Sequence, residues 1–209
     1  MSQVQRHRRV RLLVKRLNRE RKQQANQIDI LCHDLIGAQR EFLRKLNAMS
    51  FAAGFYKDLL GAADQQSLLR CAGRLIREEM PGAEVTFFLR RPDGCERHMV
   101  EGNKDLNLAI LRLHDGFTPE LIENVCKSNR MCTADDLFGM GLAGNPSELA
   151  TVSVATVPLA DLGRCLGFVL ICRAAPEGLP AEELEKLGLI TCGLSRAIRG
   201  CSVPLPAQS

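Results

Sequence analysis

The feature of this sequence that most constrains its fold is a long proline-free stretch, residues 10–59, in which apolar residues recur every seven positions. Such a repeat predicts a helix with one narrow apolar stripe, and roughly 50 residues at ~1.5 Å per residue would make it ~75 Å long. A single helix cannot bury that stripe alone. We therefore predict a long helix over residues 10–60 that forms a parallel coiled-coil homodimer. The predicted dimer seam consists of Val14, Leu17, Ile28, Leu31, Leu35, Ala38, Phe42, Met49 and Leu59.

Polar residues interrupt this seam at Arg21, Gln24 and Lys45. Polar seam residues usually weaken association while they fix the register of the two helices. The alternative arrangement is a helical hairpin within one chain, with its break near Gly37. A single glycine costs only ~1 kcal/mol in a helix, so the unbroken helix is the preferred interpretation.

The N-terminal end of the stretch is strongly basic. Residues 1–24 carry nine Lys or Arg and one Glu, a net charge of +8, whereas the whole chain carries +4, which leaves −4 for the remainder. A basic segment attached to an acidic body is suited to contact nucleic acid or an anionic surface, and it is equally typical of a solvated helix end. We call residues 1–24 the basic arm and keep both interpretations.

Nine cysteines are spread along the chain, an odd number with no Cys-x-x-Cys pair. This pattern is typical of free thiols in a reducing compartment and not of a disulfide framework or a structural zinc site. No apolar run approaches the ~20 residues that are needed to span a bilayer. We therefore expect a cytoplasmic protein without a signal peptide, a transmembrane segment or a bound metal.

Beyond the long helix, residues 64–200 alternate between helical and strand patterns and predict one α+β domain. Asp64 is placed to cap a helix that ends before Pro81-Gly82. A run rich in β-branched and aromatic residues, 84–89, then leads through a Pro-Asp-Gly turn into a second strand. These residues predict a helix followed by a β-hairpin.

The second half of this domain begins with a mixed segment, 106–145, in which helical spacing and glycines predict short helices and a mobile loop. Two further strands, 152–159 and 165–173, are separated by a tight polar turn. A closing helix begins with Pro180 in its first turn and carries acidic residues near its positive end. Residues 201–209 are expected to form a flexible tail.

The strands and closing helix of this second half resemble the C-terminal half of GAF domains, in which a strand ending in Pro-Leu, a strand with Gly before apolar residues and an acidic-capped helix follow in this order. The matching segments are 153–159, 166–170, 179–187 and 194–198. The resemblance implies a sensor domain over 64–200: an antiparallel sheet of five to six strands flanked by helices, with a ligand cavity beneath the middle segment. Its motifs are structural, so they support the fold more than an activity.

Candidate ligand-binding residues follow from that implied cavity. The adjacent acids Asp135 and Asp136 are suited to a cationic ligand or to capping a turn, and His114 is a candidate haem ligand. Cys126 and Cys132 are candidate redox thiols in segments that we expect to be partly exposed. The complete candidate set is Phe88, His114, Cys126, Cys132, Asp135, Asp136 and Thr156. No catalytic residue is assigned, and the cofactor is unknown.

These patterns predict a non-catalytic signalling module that binds a small ligand or a partner and transmits through the dimeric helix to an output protein in trans. The alternative is a dimerisation scaffold whose basic arm docks on nucleic acid or protein. A third interpretation is a thiol-dependent reductase, because Cys126, Cys132 and residues 147–149 resemble part of free methionine sulfoxide reductase. The cysteine expected before Ser147 is missing.

Overall fold

A computed structural model describes residues 3–100, 108–144, 151–174 and 178–202 of the chain. The chain divides into two compact units, Met1–Asn47 and Ala48–Ser209. Helix α1, Gln3–Leu59, forms the first unit and supplies the beginning of the second. The predicted long helix is confirmed, and it begins earlier than residue 10. Because the helix continues through Gly37, the alternative of a hairpin broken at that glycine is wrong.

Helix α2, Gln65–Glu79, begins where the sequence predicts. Asp64 accepts a hydrogen bond from the Ser67 backbone N–H at 2.7 Å, and the Asp64 N–H donates to Ser67 Oγ at 3.1 Å, which is a reciprocal capping box. The helix buries one apolar face and ends at the Met80 C-cap, before Gly82 with its positive φ of 77°. The buried residues of α2 are Leu68, Leu69, Ala72, Gly73 and Ile76.

Five strands form one antiparallel sheet: β1 (Ala83–Arg91), β2 (Gly94–Met99), β3 (Cys132–Thr133), β4 (Val152–Asp161) and β5 (Arg164–Ala174). Their order across the sheet is β2-β1-β5-β4-β3. The hairpins β1–β2 and β4–β5 lie where the turn residues predict them. The predicted α+β fold with a five-stranded antiparallel sheet is therefore confirmed.

The described part of the second unit contains four more helices: α3 (Leu108–Asp115), α4 (Pro119–Ser128), α5 (Ala134–Gly139) and α6 (Ala181–Ser202). Helix α4 begins with Pro119 after a Thr118 cap, whose side chain accepts from the Leu121 N–H at 3.2 Å. Proline fits this first turn because its missing N–H has no partner within the helix.

Both faces of the sheet are covered, as the apolar residues on both sides of its strands predict. On the first face, side chains such as Phe87 and Val169 pack against the last turns of α1, α2 and α6. On the second face, side chains such as Phe88 and Phe168 pack against α3, α4 and α5. The sheet therefore lies between two separate cores. Burial of each such large apolar side chain contributes ~1.5–3 kcal/mol to the stability of the folded state.

The central strand β5 approaches β1 so closely that only glycine fits at position 167. Gly167 has a φ of 144°, and a Cβ on it would collide with the backbone oxygen of Phe88. Leu89 and Leu159 are its partners on the two neighbouring strands. Position 167 therefore fixes the pairing at the middle of the sheet.

A buried carboxylate of the β4–β5 hairpin forms ion pairs with helix α6. Asp161 is 3% exposed, and its two oxygens lie 3.4 Å from Arg196 Nε and 2.5 Å from Arg199 Nη1. A second ion pair joins Arg173 of β5 to Glu183 at 2.9 Å. Buried charges need such partners because desolvation otherwise disfavours them.

No helix in the described ranges is both long enough and apolar enough to cross a bilayer.

Candidate functional site

The second face of the sheet, where the GAF resemblance implies a cavity, is filled by three stacked aromatic rings. The ring centroids of Phe88 and Phe168 are 4.8 Å apart, and those of Phe88 and Phe117 are 5.2 Å apart. All three side chains are buried. Phe88, a predicted ligand-binding residue, therefore lies in the middle of the core on this face.

Two polar residues of the predicted set are also buried on this unit. His114 is 4% exposed and Thr156 is fully buried. Within the described part of the chain, His114 Nδ1 and Thr156 Oγ1 have no hydrogen-bond partner. Burial, reinforced by the charge of Arg97, lowers the pKa of His114, so its imidazole is neutral near pH 7. These are polar groups inside an apolar core, and Thr156 on β4 is the cross-strand partner of Cys132 on β3, another residue of the predicted set.

The adjacent acids Asp135 and Asp136 have different surroundings. Asp136 caps α5: its carboxylate accepts from the Thr133 N–H at 2.9 Å and from Thr133 Oγ1 at 3.0 Å, and it pairs with Arg130 at 2.6 Å. These bonds, the backbone one first, lower the pKa of Asp136 to about 2. Asp135 is exposed. Among the described residues, no group of three metal-binding side chains forms.

The two predicted redox thiols are less accessible than the sequence suggests. Cys132 is fully buried, with its Sγ 3.4 Å from Ser128 Oγ and 3.4 Å from the carbonyl oxygen of Arg130. Cys126 is 6% exposed. The expectation of partly exposed segments is wrong for both, because Cys132 lies in β3 and Cys126 lies on the face of α4 that packs on the sheet.

Cys165, on β5, is partly exposed and packs against the core that contains Cys126. The interaction of the two thiols raises the pKa of Cys126 and lowers the pKa of Cys165 to about 6. Cys126 also lines a cavity of about 280 Å³ next to Arg90 and Cys95. The fold thus brings Cys126 of α4 and Cys95 of β2 to one cavity.

A larger cavity of about 660 Å³ lies between α2 and β2. We call it the arginine groove, because arginines of α2 and β2 form its walls over an apolar floor. Arg74 donates a hydrogen bond to Glu78 at 2.7 Å, and His98 lies 2.9 Å from Glu96. These two acids neutralise part of the positive charge of the groove, although neither of them lines it. None of the described residues that line the groove is acidic. They are Gln66, Leu69, Arg70, Arg74, Arg77, Arg97, His98, Met99 and Val100.

The predicted seam residues of α1 are exposed within a single chain, with one exception. Leu31 and Leu35 expose 67% and 69% of their surface, and the other seam residues before Met49 are exposed as well. Leu59 is 6% exposed and belongs to the core with Phe55. The prediction that Leu59 belongs to the seam is wrong, because this side of the last turns of α1 packs into the first core of the second unit.

The basic arm lies on α1, and the arginines and lysines whose side chains are described there, from Arg9 to Lys22, are exposed. Arg16 forms an ion pair with Glu20 at 2.9 Å. The contact of this arm with nucleic acid or an anionic surface stays a prediction. The reductase-like residues 147–149 and most of the expected tail, 203–209, lie outside the described residues.

Comparison with known proteins identifies the fold of the second unit as that of GAF domains. The chain resembles the GAF domain of a phosphoenolpyruvate-protein phosphotransferase from Coxiella burnetii, with a TM-score of 0.58 and 14% identity over 75% of this chain and 95% of that one. It also resembles the corresponding domain from Acinetobacter, with a TM-score of 0.56 and 11% identity over 77% and 97% of the two chains.

A third similar structure is a methyl-accepting chemotaxis protein, residues 122 to 287, with a TM-score of 0.52 and 15% identity over 75% of this chain and 98% of that one. No protein-family model and no curated protein matches the sequence. At these identities the likeness establishes the fold alone.

Proposed function

We propose that this chain is a non-catalytic regulatory module that dimerises through α1 and acts on an output protein in trans. The single observation that carries the proposal is the exposed apolar stripe of α1, from Val14 to Met49, on a helix whose last turns lie in the core of the GAF fold. An exposed stripe of this length is unfavourable in water unless a second helix covers it. The GAF domain of a phosphotransferase and a segment of a methyl-accepting chemotaxis protein have a similar fold, which supports a regulatory role.

The last turns of α1 are positioned to report on the packing of the domain. Phe51 and Phe55 lie 5.9 Å apart and pack into the first core. Tyr56 donates a hydrogen bond to the Leu189 carbonyl oxygen of α6 at 2.8 Å, and its ring lies over Gly193 so closely that a Cβ there would collide with it. A shift of α6 therefore moves the last turns of the helix that carries the stripe.

Replacing one apolar seam residue by a charged residue is expected to dissociate the dimer. In a parallel pair, Leu35→Lys places two ammonium groups in the seam, which weakens association by ~3 kcal/mol, about 100-fold. Ile36→Lys is the matched control, because Ile36 is an exposed apolar residue of the same helix outside the seam. Light scattering during gel filtration, over a dilution series, measures the masses. A monomeric wild-type chain, or equal dissociation of both variants, contradicts the proposal.

A second observation, the arginine groove, favours an anionic small ligand as the input. Its volume lies within the range of small-molecule sites, which is about 300–1,000 Å³. The guanidinium groups of Arg70 and Arg97 offer bidentate donors to phosphate or carboxylate oxygens, and the apolar residues Leu69, Met99 and Val100 suit an organic portion of the ligand. We propose that the groove binds a compound with two or more phosphate groups.

Thermal unfolding with pyrophosphate and with ATP as probes tests this groove. We expect both to raise the melting temperature, and Arg70→Glu to reduce their affinity about tenfold or more, ~1.4 kcal/mol. Arg164→Glu is the control, because Arg164 is exposed on β5 outside the groove. If neither anion shifts the transition, or if both variants weaken binding equally, the anion site is excluded and the ligand-free scaffold becomes the better interpretation.

We propose a cytoplasmic location, because nine cysteines without a Cys-x-x-Cys pair are typical of free thiols in a reducing compartment.

A further inference from the structure

The basic arm carries a dense positive charge to which the proposed function gives no role. Residues 1–24 hold nine Lys or Arg and one Glu, a net charge of +8, and the whole chain carries +4, which leaves −4 for the remainder. The arginines and lysines whose side chains are described there, from Arg9 to Lys22, are exposed on the continuous helix α1. A partner that is attracted to this segment and not to the rest of the chain is a polyanion.

Four of these cations form a row along one side of the helix, which we call the basic row. They are Arg11, Lys15, Arg19 and Lys22. Spacings of four, four and three residues place the side chains on one side of a helix, and the row rises ~16 Å at ~1.5 Å per residue. Glu20, the one acid in the sequence of the arm, lies 2.9 Å from Arg16 and not in the row. The arm itself therefore leaves the charge of the row in place.

The basic row lies to one side of the seam through which α1 is proposed to dimerise. Lys15 follows the seam residue Val14 by one position, and Arg19 follows Leu17 by two. At ~100° per residue, the row is about a third of a turn around the helix from the seam. A second helix that covers Val14 and Leu17 thus leaves the row in solvent. This step rests on the proposed function, because the dimer is what covers the apolar side of the arm.

The composition of the arm favours double-stranded DNA over other polyanions. A helix that lies in a membrane surface needs an uncovered apolar face. Here the seam occupies that face, and Leu12 and Leu13, outside the seam, are consecutive and so point ~100° apart. Single-stranded nucleic acid is bound largely by stacking of bases on aromatic rings. Residues 1–24 contain no Phe, Tyr or Trp.

We propose that the basic row binds the phosphate backbone of double-stranded DNA without preference for base sequence. The major groove of B-form DNA is ~12 Å wide and admits an α-helix, whereas the major groove of an RNA duplex is deep and narrow. The guanidinium and ammonium groups of the row contact phosphate oxygens at the edges of the groove, and such contacts carry no direct sequence information. Binding releases counterions from the DNA, so the affinity falls steeply with salt.

Fluorescence anisotropy of a short labelled DNA duplex, titrated with the full-length chain at several salt concentrations, tests the proposal. The double variant Lys15→Gln, Arg19→Gln removes two charges of the row while keeping a good helix former at both positions. We expect it to bind roughly 10- to 100-fold more weakly at about 0.1 M salt. The slope of the logarithm of the binding constant against that of the salt concentration is expected to decrease by about 2.

The double variant Arg40→Gln, Lys57→Gln is the matched control. Both residues are exposed on α1, outside the arm and outside the predicted seam, so the same loss of charge is expected to leave DNA binding as in the wild type. A second duplex of unrelated sequence is expected to bind with the same affinity. Equal weakening by the two double variants overturns the proposal, and so does a strong preference for one duplex.

Two further measurements separate the alternatives. Binding to vesicles of anionic phospholipid or to single-stranded DNA, with none to the duplex, overturns the proposal in favour of those partners. Light scattering on the same samples distinguishes its failure from that of the proposed function. A dimeric chain that does not bind the duplex contradicts the DNA site alone, whereas a monomeric chain contradicts the proposed dimer and, with it, the covered apolar side of the arm.

Discussion

Gly167→Ala is expected to prevent the second unit from folding. The φ of 144° is unfavourable for any residue with a Cβ and costs ~1–3 kcal/mol. The larger cost comes from the collision of that Cβ with the backbone of Phe88 and with Leu89 Cα, at 3.0 Å, since neither can yield without separating β1 from β5. The sum approaches the ~5–15 kcal/mol that stabilises an ordinary domain.

Gly94→Ala is the matched control for this prediction. Gly94 has a nearly equal φ of 140°, but nothing lies within 4 Å of an added Cβ. We expect Gly94→Ala to retain a cooperative urea transition with a modest loss of stability, and Gly167→Ala to show no cooperative transition by circular dichroism. Equal stability of the two variants would mean that the close approach of β1 and β5 is not required.

The elements that sequence reasoning predicts well are those whose causes are local. The seven-residue repeat predicts α1 because periodicity alone separates a helix from a strand. Asp64 and Ser67 form the predicted helix start because a capping box needs residues only three apart. The strands of the two hairpins follow from turn residues flanked by apolar runs.

The features that sequence reasoning misses depend on which elements the fold brings together. Cys126 and Cys95 line one cavity from α4 and β2, and no spacing rule connects them. The arginine groove likewise joins a helix face to an edge strand. Leu59 fits the heptad pattern, yet the domain covers it, because a periodic stripe does not reveal whether a partner chain or the same chain buries each residue.

The predicted ligand-binding set shows the limit of a resemblance. Phe88, His114 and Thr156 are buried in the second unit, but Phe88 packs against aromatic rings, and Asp136 is used to cap α5. The cavity that the family resemblance implies indicates only on which face of the sheet a ligand site is expected. Whether that face holds a ligand or a packed core is decided by the volume of its side chains, which here are three phenylalanine rings.

Phe88→Ala tests whether the second face of the sheet is a packed core or a ligand cavity. As a core residue, Phe88 is 2% exposed and stacks on Phe117 and Phe168, so its truncation is expected to cost ~3–5 kcal/mol of unfolding free energy with no ligand present. Phe138→Ala is the control, because Phe138 packs against the same core but is only partly buried. Its expected cost is smaller, about 1–2 kcal/mol, in proportion to the apolar area it buries.

Urea unfolding of both variants, with the same slope against denaturant, gives the two free energies. A loss for Phe88→Ala that is no larger than the loss for Phe138→Ala contradicts the packed core, because a ring that lines an open cavity has fewer contacts to lose. The larger loss places Phe88 among the residues that hold α3 and α4 on the sheet. In that case the input to this module is to be sought at the arginine groove, which lies between α2 and the edge strand β2.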